Sequence, residues 1–281
     1  MRRASWPRTP ALPGAGIAHA TVRWVARIGY GARGVVYLMF GALAMRTAVT
    51  LSDVHDVRGT LGVMHQMTGG GVLLLGAAAG LAAYALWRLV QGGFDTDGHG
   101  WGLRALIVRG ALLASAAVYG SLAWASLKLV AATAHRTSQP VQHAVAATLD
   151  WPAGREMVVL GGLIGLIAGI AHIHKAWCAG FRRWFSASPA AMRWIDPVSR
   201  IGLCARGLLF LGVGGFIVYS GITLQPQDAL GVAELLDWVR GASYGRWLLA
   251  AWAVGVMLFG VYSLIEAFVR RVDPTPYRAP R

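Results

Sequence analysis

Acidic residues are few in this 281-residue chain: twelve, against 26 lysines and arginines, with charged residues of both signs making up only 14%. A soluble domain carries about 25%. Cysteine is scarcer still, with Cys178 and Cys204 the only two. That usage points to a reduced compartment and excludes a disulfide framework. Familiar catalytic signatures are also missing. There is no Walker-type phosphate loop, no H-E-x-x-H, no C-x-x-C and no spacing that marks a Ser-His-Asp set, so the sequence reads as non-enzymatic and calls for no cofactor. The first 22 residues lack the apolar core and cleavage site of a secretory signal. With Arg2, Arg3, Arg8, Pro7, Pro10 and Pro13, residues 1–22 read as a disordered basic cytoplasmic tail.

What the chain has in excess is apolar surface. It is 56% hydrophobic, and 37 residues are glycine. A soluble core of this size could not hide so much, because small domains run out of interior. Six segments are long and apolar enough to span a bilayer, at about 31–50, 70–91, 105–130, 157–178, 204–224 and 247–268. Each is near the ~20 residues that a hydrocarbon core of about 30 Å requires. The first is interrupted by Arg33 and Arg46, whose long side chains can reach outward at either end. The fold class is therefore all-α, a polytopic membrane protein with six transmembrane helices.

Six spans put both termini on one side, and basic residues say which. Nineteen of the 26 fall on the terminal side, and five of the twelve acids join them. The whole net charge of +14 thus belongs to that side, which the positive-inside rule makes cytoplasmic. Location in the cell inner membrane follows. A pI near 11 invites a nucleic-acid reading. No basic helix stands free of a span, however, so the expected partners are the bilayer and its anionic head groups.

One sentence is written more than once. Residues 27–38 read RIGYGARGVVYL and residues 200–211 read RIGLCARGLLFL, identical at seven of twelve positions. A weaker copy, LRALIVRGALLA, occupies 103–114, so that Arg33-Gly34, Arg109-Gly110 and Arg206-Gly207 are equivalent starts. After each first span comes an amphipathic stretch: Val54, Val57, Leu61 and Met64; then Val141, Ala144, Val145 and Thr148; then Val232, Leu235, Leu236 and Val239. These fit short helices in the outer interface. A Gly-rich entry, at Gly69-Gly70-Gly71, Gly154-Arg155 and Gly245-Arg246, then leads into the second span. The chain divides into repeats at 23–95, 101–185 and 196–273, with a tail at 274–281. Each holds two spans, so the repeats run parallel, related by an axis along the membrane normal.

The R-x-G-x-x-A-R-G-Φ-Φ-[YF] opening, the three tandem two-helix units and the six spans resemble the bacterial membrane proteins grouped as domain-of-unknown-function family 1206. The resemblance covers about 23–273, and copy two lacks the first Arg-x-Gly. It implies the architecture and supplies no catalytic residues.

Candidate functional residues follow from position. Arg33, Arg109 and Arg206 are expected at the cytoplasmic interface as topology anchors, or as anion contacts where they converge. Glu266 lies near the inner end of the last span, and a carboxylate there needs a partner. An arginine from another repeat is the expected one. Gly76 and Gly80, and Gly161, Gly165 and Gly169, have the small-xxx-small spacing of helix seams. Tyr30, Tyr37, Trp87, Trp101, Trp151, Trp177, Trp184, Trp238 and Trp247 fall at span ends, as an aromatic belt would. His55, His65, His135 and His143, with Asp53 and Asp56 nearby, are weak metal candidates. His174 and Cys178 share a helix face, but zinc wants four ligands. The leading expectation is a protein that organises lipid or partner proteins. The alternatives are a small-solute or ion pathway along the repeat axis, and a histidine-dependent redox or metal-binding protein.

Overall fold

The computed structural model describes residues 15–50, 55–96, 102–131 and 139–272. Those residues form nine α-helices: α1 (Ala15–Thr50), α2 (Val57–Gln66), α3 (Gly70–Phe94), α4 (Leu103–Val130), α5 (Pro140–Leu149), α6 (Gly154–Trp177), α7 (Pro189–Thr223), α8 (Val232–Arg240) and α9 (Gly245–Val269). Six of them, α1, α3, α4, α6, α7 and α9, are long and apolar enough to cross a membrane. The protein is an all-α multi-pass membrane protein.

Local chemistry explains the joints. Asp56 caps α2, its Oδ1 accepting from the Gly59 amide at 2.6 Å. Ser188 caps α7 in the same way, with Pro189 at the first helical position. The short helices α2, α5 and α8 each lead into a second span through one glycine. A Cβ on Gly70, Gly154 or Gly245 would lie 2.1–2.3 Å from a carbonyl oxygen of the short helix before it, so the turn is open to glycine alone.

Two expectations change at the ends of elements. Residues 15–22, assigned to a disordered tail, are helical, and α1 runs 36 residues. At ~1.5 Å per residue that is about 54 Å, well beyond a hydrocarbon core. The third repeat also begins earlier than 196, because α7 starts at Pro189 and carries Pro197 within it. The apolar stripe that defined each span says nothing about the polar turns that extend it.

The spans pack most closely between repeats. The principal seams are α3 with α4, α6 with α7, and α9 with α1, each joining the second helix of one repeat to the first of the next. The order closes on itself, repeat 1 to 2 to 3 to 1. Within repeats, α1 packs on α3 and α7 on α9, whereas α4 and α6 share no comparable face. Beyond α6, the backbone of 184–186 pairs with that of 269–271, Ser186 donating to Val269 at 2.9 Å and Arg271 to Trp184 at 2.8 Å. That strap ties the end of repeat 2 to the end of repeat 3.

Candidate functional site

Glu266 lies in α9 and is 2% exposed. Its Oε2 accepts from Arg33 Nη2 of α1 at 2.5 Å, and its Oε1 accepts from Arg270 Nη1 at 2.7 Å and from the Tyr262 hydroxyl at 2.9 Å. Arg33, 4% exposed, also donates to Ser263 Oγ at 3.1 Å and to the Tyr84 hydroxyl of α3. The rings of Tyr84, Phe259 and Tyr30 surround its guanidinium at 4.7, 5.1 and 5.2 Å. One carboxylate therefore draws together helices of repeats 1 and 3. Charge and hydrogen bonds are satisfied together, as a buried pair requires.

For Arg33 this corrects the expectation of an interface anchor. Arg33 is enclosed in the bundle and reaches no lipid. Arg109 donates to the carbonyls of Gly92 and Gly93 at 2.7 and 2.8 Å, holding the last turn of α3 as a C-terminal cation does. Arg206 is half-buried. It donates to the Tyr37 hydroxyl and, at 3.2 Å, to the Tyr119 hydroxyl. Phe259, Tyr37 and Phe210 stack around it at 4.7–4.9 Å. Equivalent in sequence, the three have different partners.

The difference originates on the second helices. Counting from the opening glycines of α3, α6 and α9, the position of Glu266 is held by Gln91 in repeat 1 and Lys175 in repeat 2. Gln91 Oε1 accepts from Arg88 at 2.9 Å, and Arg88 also donates to the Tyr84 hydroxyl at 2.8 Å. Lys175 donates to the Tyr262 hydroxyl at 3.1 Å. Arg88, Gln91, Lys175, Arg270 and Tyr84 are not singled out by the sequence, whereas Tyr262, four residues before Glu266, shares its helix face. Aligning the second helices on their first glycine is the signal that finds Gln91 and Lys175.

Other expected residues separate into those that meet neighbours and those that do not. A Cβ on Gly80 would stand 2.1 Å from Ala32 Cβ, on Gly165 3.1 Å from Gly214 Cα, and on Gly169 2.8 Å from the Gly207 carbonyl oxygen. Gly76 and Gly161 were also assigned to seams, and a Cβ on either meets open space. The glycine that packs beside Gly161 is Gly162, 2.8 Å by the same measure from the Gly214 carbonyl oxygen. Spacing identifies a face only to within one residue of helix rotation. Three members of the expected aromatic belt, Tyr30, Tyr37 and Trp87, are instead buried in the core, with Trp87 Nε1 donating to the Tyr30 hydroxyl at 3.1 Å. Trp151, Trp177, Trp238 and Trp247 are exposed, and Trp101 lies outside the described residues.

Among the described residues no three His, Cys, Asp or Glu side chains come together as a metal-binding group. His65 and His143 are exposed, His55 is half-buried, and His135 and Asp53 lie outside the described residues. His174 Nε2 is 3.5 Å from Cys178 Sγ. His172 Nδ1 contacts the Ala168 carbonyl at 2.8 Å, and its ring packs on Phe210.

Comparison with known proteins agrees with this internal symmetry. The family model described as Domain of Unknown Function (DUF1206) matches three times, over residues 28–95, 110–179 and 201–270. The uncharacterized protein YxxB of Bacillus subtilis (strain 168) is 29% identical over 263 residues, spanning 91% of this chain and 95% of that protein. No solved structure matches. With its three matched units coinciding with three two-span repeats, the chain belongs to the DUF1206 family, whose function is unknown.

Proposed function

We propose that the protein is a non-enzymatic membrane protein that organises lipid, and with it partner proteins, on the face bearing its termini. One observation carries this reading. Glu266 is shared by Arg33 and Arg270, while Arg88, Lys175 and Arg206 donate only to neutral oxygens among the described residues. Their charge projects from a low-dielectric bundle, where it is weakly screened. Acidic head groups answer such a field, at about 1 kcal/mol per basic residue near the surface. Inner-membrane location with cytoplasmic termini belongs to the same reading, because the excess positive charge then faces the anionic leaflet.

A solute pathway along the repeat axis is less well supported. Tyr37 of α1, Tyr119 of α4 and Arg206 of α7, the first helices of the three repeats, hydrogen-bond to one another. Such a plug would need to open before anything passed.

The test is lipid selectivity. Spin-labelled phosphatidylglycerol and phosphatidylcholine are compared in reconstituted vesicles. The motionally restricted fraction should be several-fold larger for phosphatidylglycerol and should shrink as salt rises. Equal fractions for the two lipids would refute the proposal.

A further inference from the structure

We propose that the cleft between α4 and α6 holds one anionic phospholipid, its phosphate held at Arg206 and Lys175. The inference deepens the lipid-organising reading and rests on it. Its starting point is a failure of the repeat. In repeat 1 a Cβ on Gly80 would lie 2.1 Å from Ala32 Cβ, and in repeat 3 a Cβ on Gly255 would lie 2.5 Å from Ala205 Cβ. One turn away, Gly29 faces Tyr84 and Gly202 faces Phe259, with a Cβ 2.6 Å from backbone in both cases. The two spans of each of these repeats lock together through those small residues. Repeat 2 has Val108 and Ile164 at the positions of the Ala–Gly pair. Two β-branched side chains cannot approach so closely, and α4 and α6 share no packed face. Ile164 is 56% exposed, where Gly80 and Gly255 are buried.

The charge pattern fails at the same place. On the seam of α1 with α9, Gly34 packs against Gly260, and on the seam of α6 with α7, Gly207 packs against Gly169. The two seams are equivalent, so Arg206 corresponds to Arg33 and Lys175 to Glu266. Where one seam joins a cation to an acid, the other brings two cations to the same level of the fold. Arg206 touches the α4 wall of the cleft and reaches the α6 wall through Phe210 of its own helix. Its Nη2 donates to Tyr119 of α4 at 3.2 Å, and it stacks on Phe210, against which His172 of α6 packs. An intramembrane cation whose partners are all neutral is a functional-site hypothesis by default. A phosphate there would stand in for the carboxylate that Glu266 supplies to Arg33. Its acyl chains would lie along the apolar walls, where Leu163, Ile164 and Ile167 are exposed.

The test is native mass spectrometry of the full chain ejected from nanodiscs of equal phosphatidylglycerol and phosphatidylcholine. The wild type should retain one phosphatidylglycerol. Arg206→Gln and Lys175→Met should each lower that retention about tenfold, the effect of losing one modest charge contact. The double variant Val108→Ala/Ile164→Gly restores the small pair of the other repeats. It should also lose the lipid, although both cations remain. That variant decides the matter if Arg206→Gln fails to fold. Undiminished phosphatidylglycerol in the double variant, equal retention of phosphatidylcholine at the site, or a bare phosphate mass in place of lipid would each overturn the proposal. A wild type with no preference for phosphatidylglycerol refutes the parent reading as well. A preference that all three variants leave intact refutes the cleft alone.

Discussion

Arg33 and Arg206 stand in nearly identical local sequence, yet one is locked to a carboxylate and the other lies among tyrosines and phenylalanines. The environment of each is written elsewhere, in whichever residue the neighbouring second helix offers. Glu266→Ala strips the counter-charge from Arg33 and Arg270 while both stay buried. It should lower stability by about 3–5 kcal/mol, read as a fall in the thermal midpoint in detergent. Lys175→Met removes a donor to the Tyr262 hydroxyl and a cation over its ring, and in lipid-free detergent should leave the midpoint nearly unchanged. If both variants melted alike, the carboxylate would not be the clamp described here. The Arg-Gly motif was therefore legible in the sequence and its chemistry was not. An isolated arginine at a span end suits an interface anchor and a buried partner equally well. Only the aromatic rings around Arg33 and the acid two repeats away decide between them. The same ambiguity moved Tyr30, Tyr37 and Trp87 from a belt into the core.

At the scale of elements, the sequence carried more. The six spans and the three short helices between them follow from apolar periodicity and the opening glycines, and α2, α5 and α8 contain the expected stripes, except for Val54, which lies outside the described residues. Seams were harder, because small-residue spacing gives a face without giving the neighbour that meets it. Gly161→Leu and Gly165→Leu separate the two cases. The first projects into open space and should be nearly neutral. The second meets Gly214 Cα at 3.1 Å and should cost about 1–3 kcal/mol through overpacking of α6 against α7. Comparable thermal midpoints for the two variants would place the seam elsewhere. Copy two was the weak repeat on the page, lacking the Arg-x-Gly of the others. What that weakness does to packing could not be read until Val108 was set against Ala32 and Ile164 against Gly80.

On the scale of the whole molecule, three parallel repeats close a ring through their outer partners, and one repeat stays open within itself. With an even number of spans, the two flanks of the spanning region share a side, and the proposed orientation, resting on the basic excess, puts that side in the cytoplasm. Cys178, exposed just beyond α6, offers a check in a Cys204→Ser background. It should resist an impermeant maleimide in intact cells and react in inverted vesicles, and labelling in intact cells would reverse the orientation. The claim on which the lipid site turns is the parting of α4 and α6. Spin labels at the exposed equivalent pairs Val35 and Gly76, Ala111 and Leu160, and Leu208 and Ala251 measure it in one set of pulsed dipolar distances. The separation in repeat 2 should exceed the other two by roughly 5 Å or more, since packed helices lie only about 8–10 Å apart. Three equal distances would mean that repeat 2 closes like its neighbours, leaving no cleft beside Arg206.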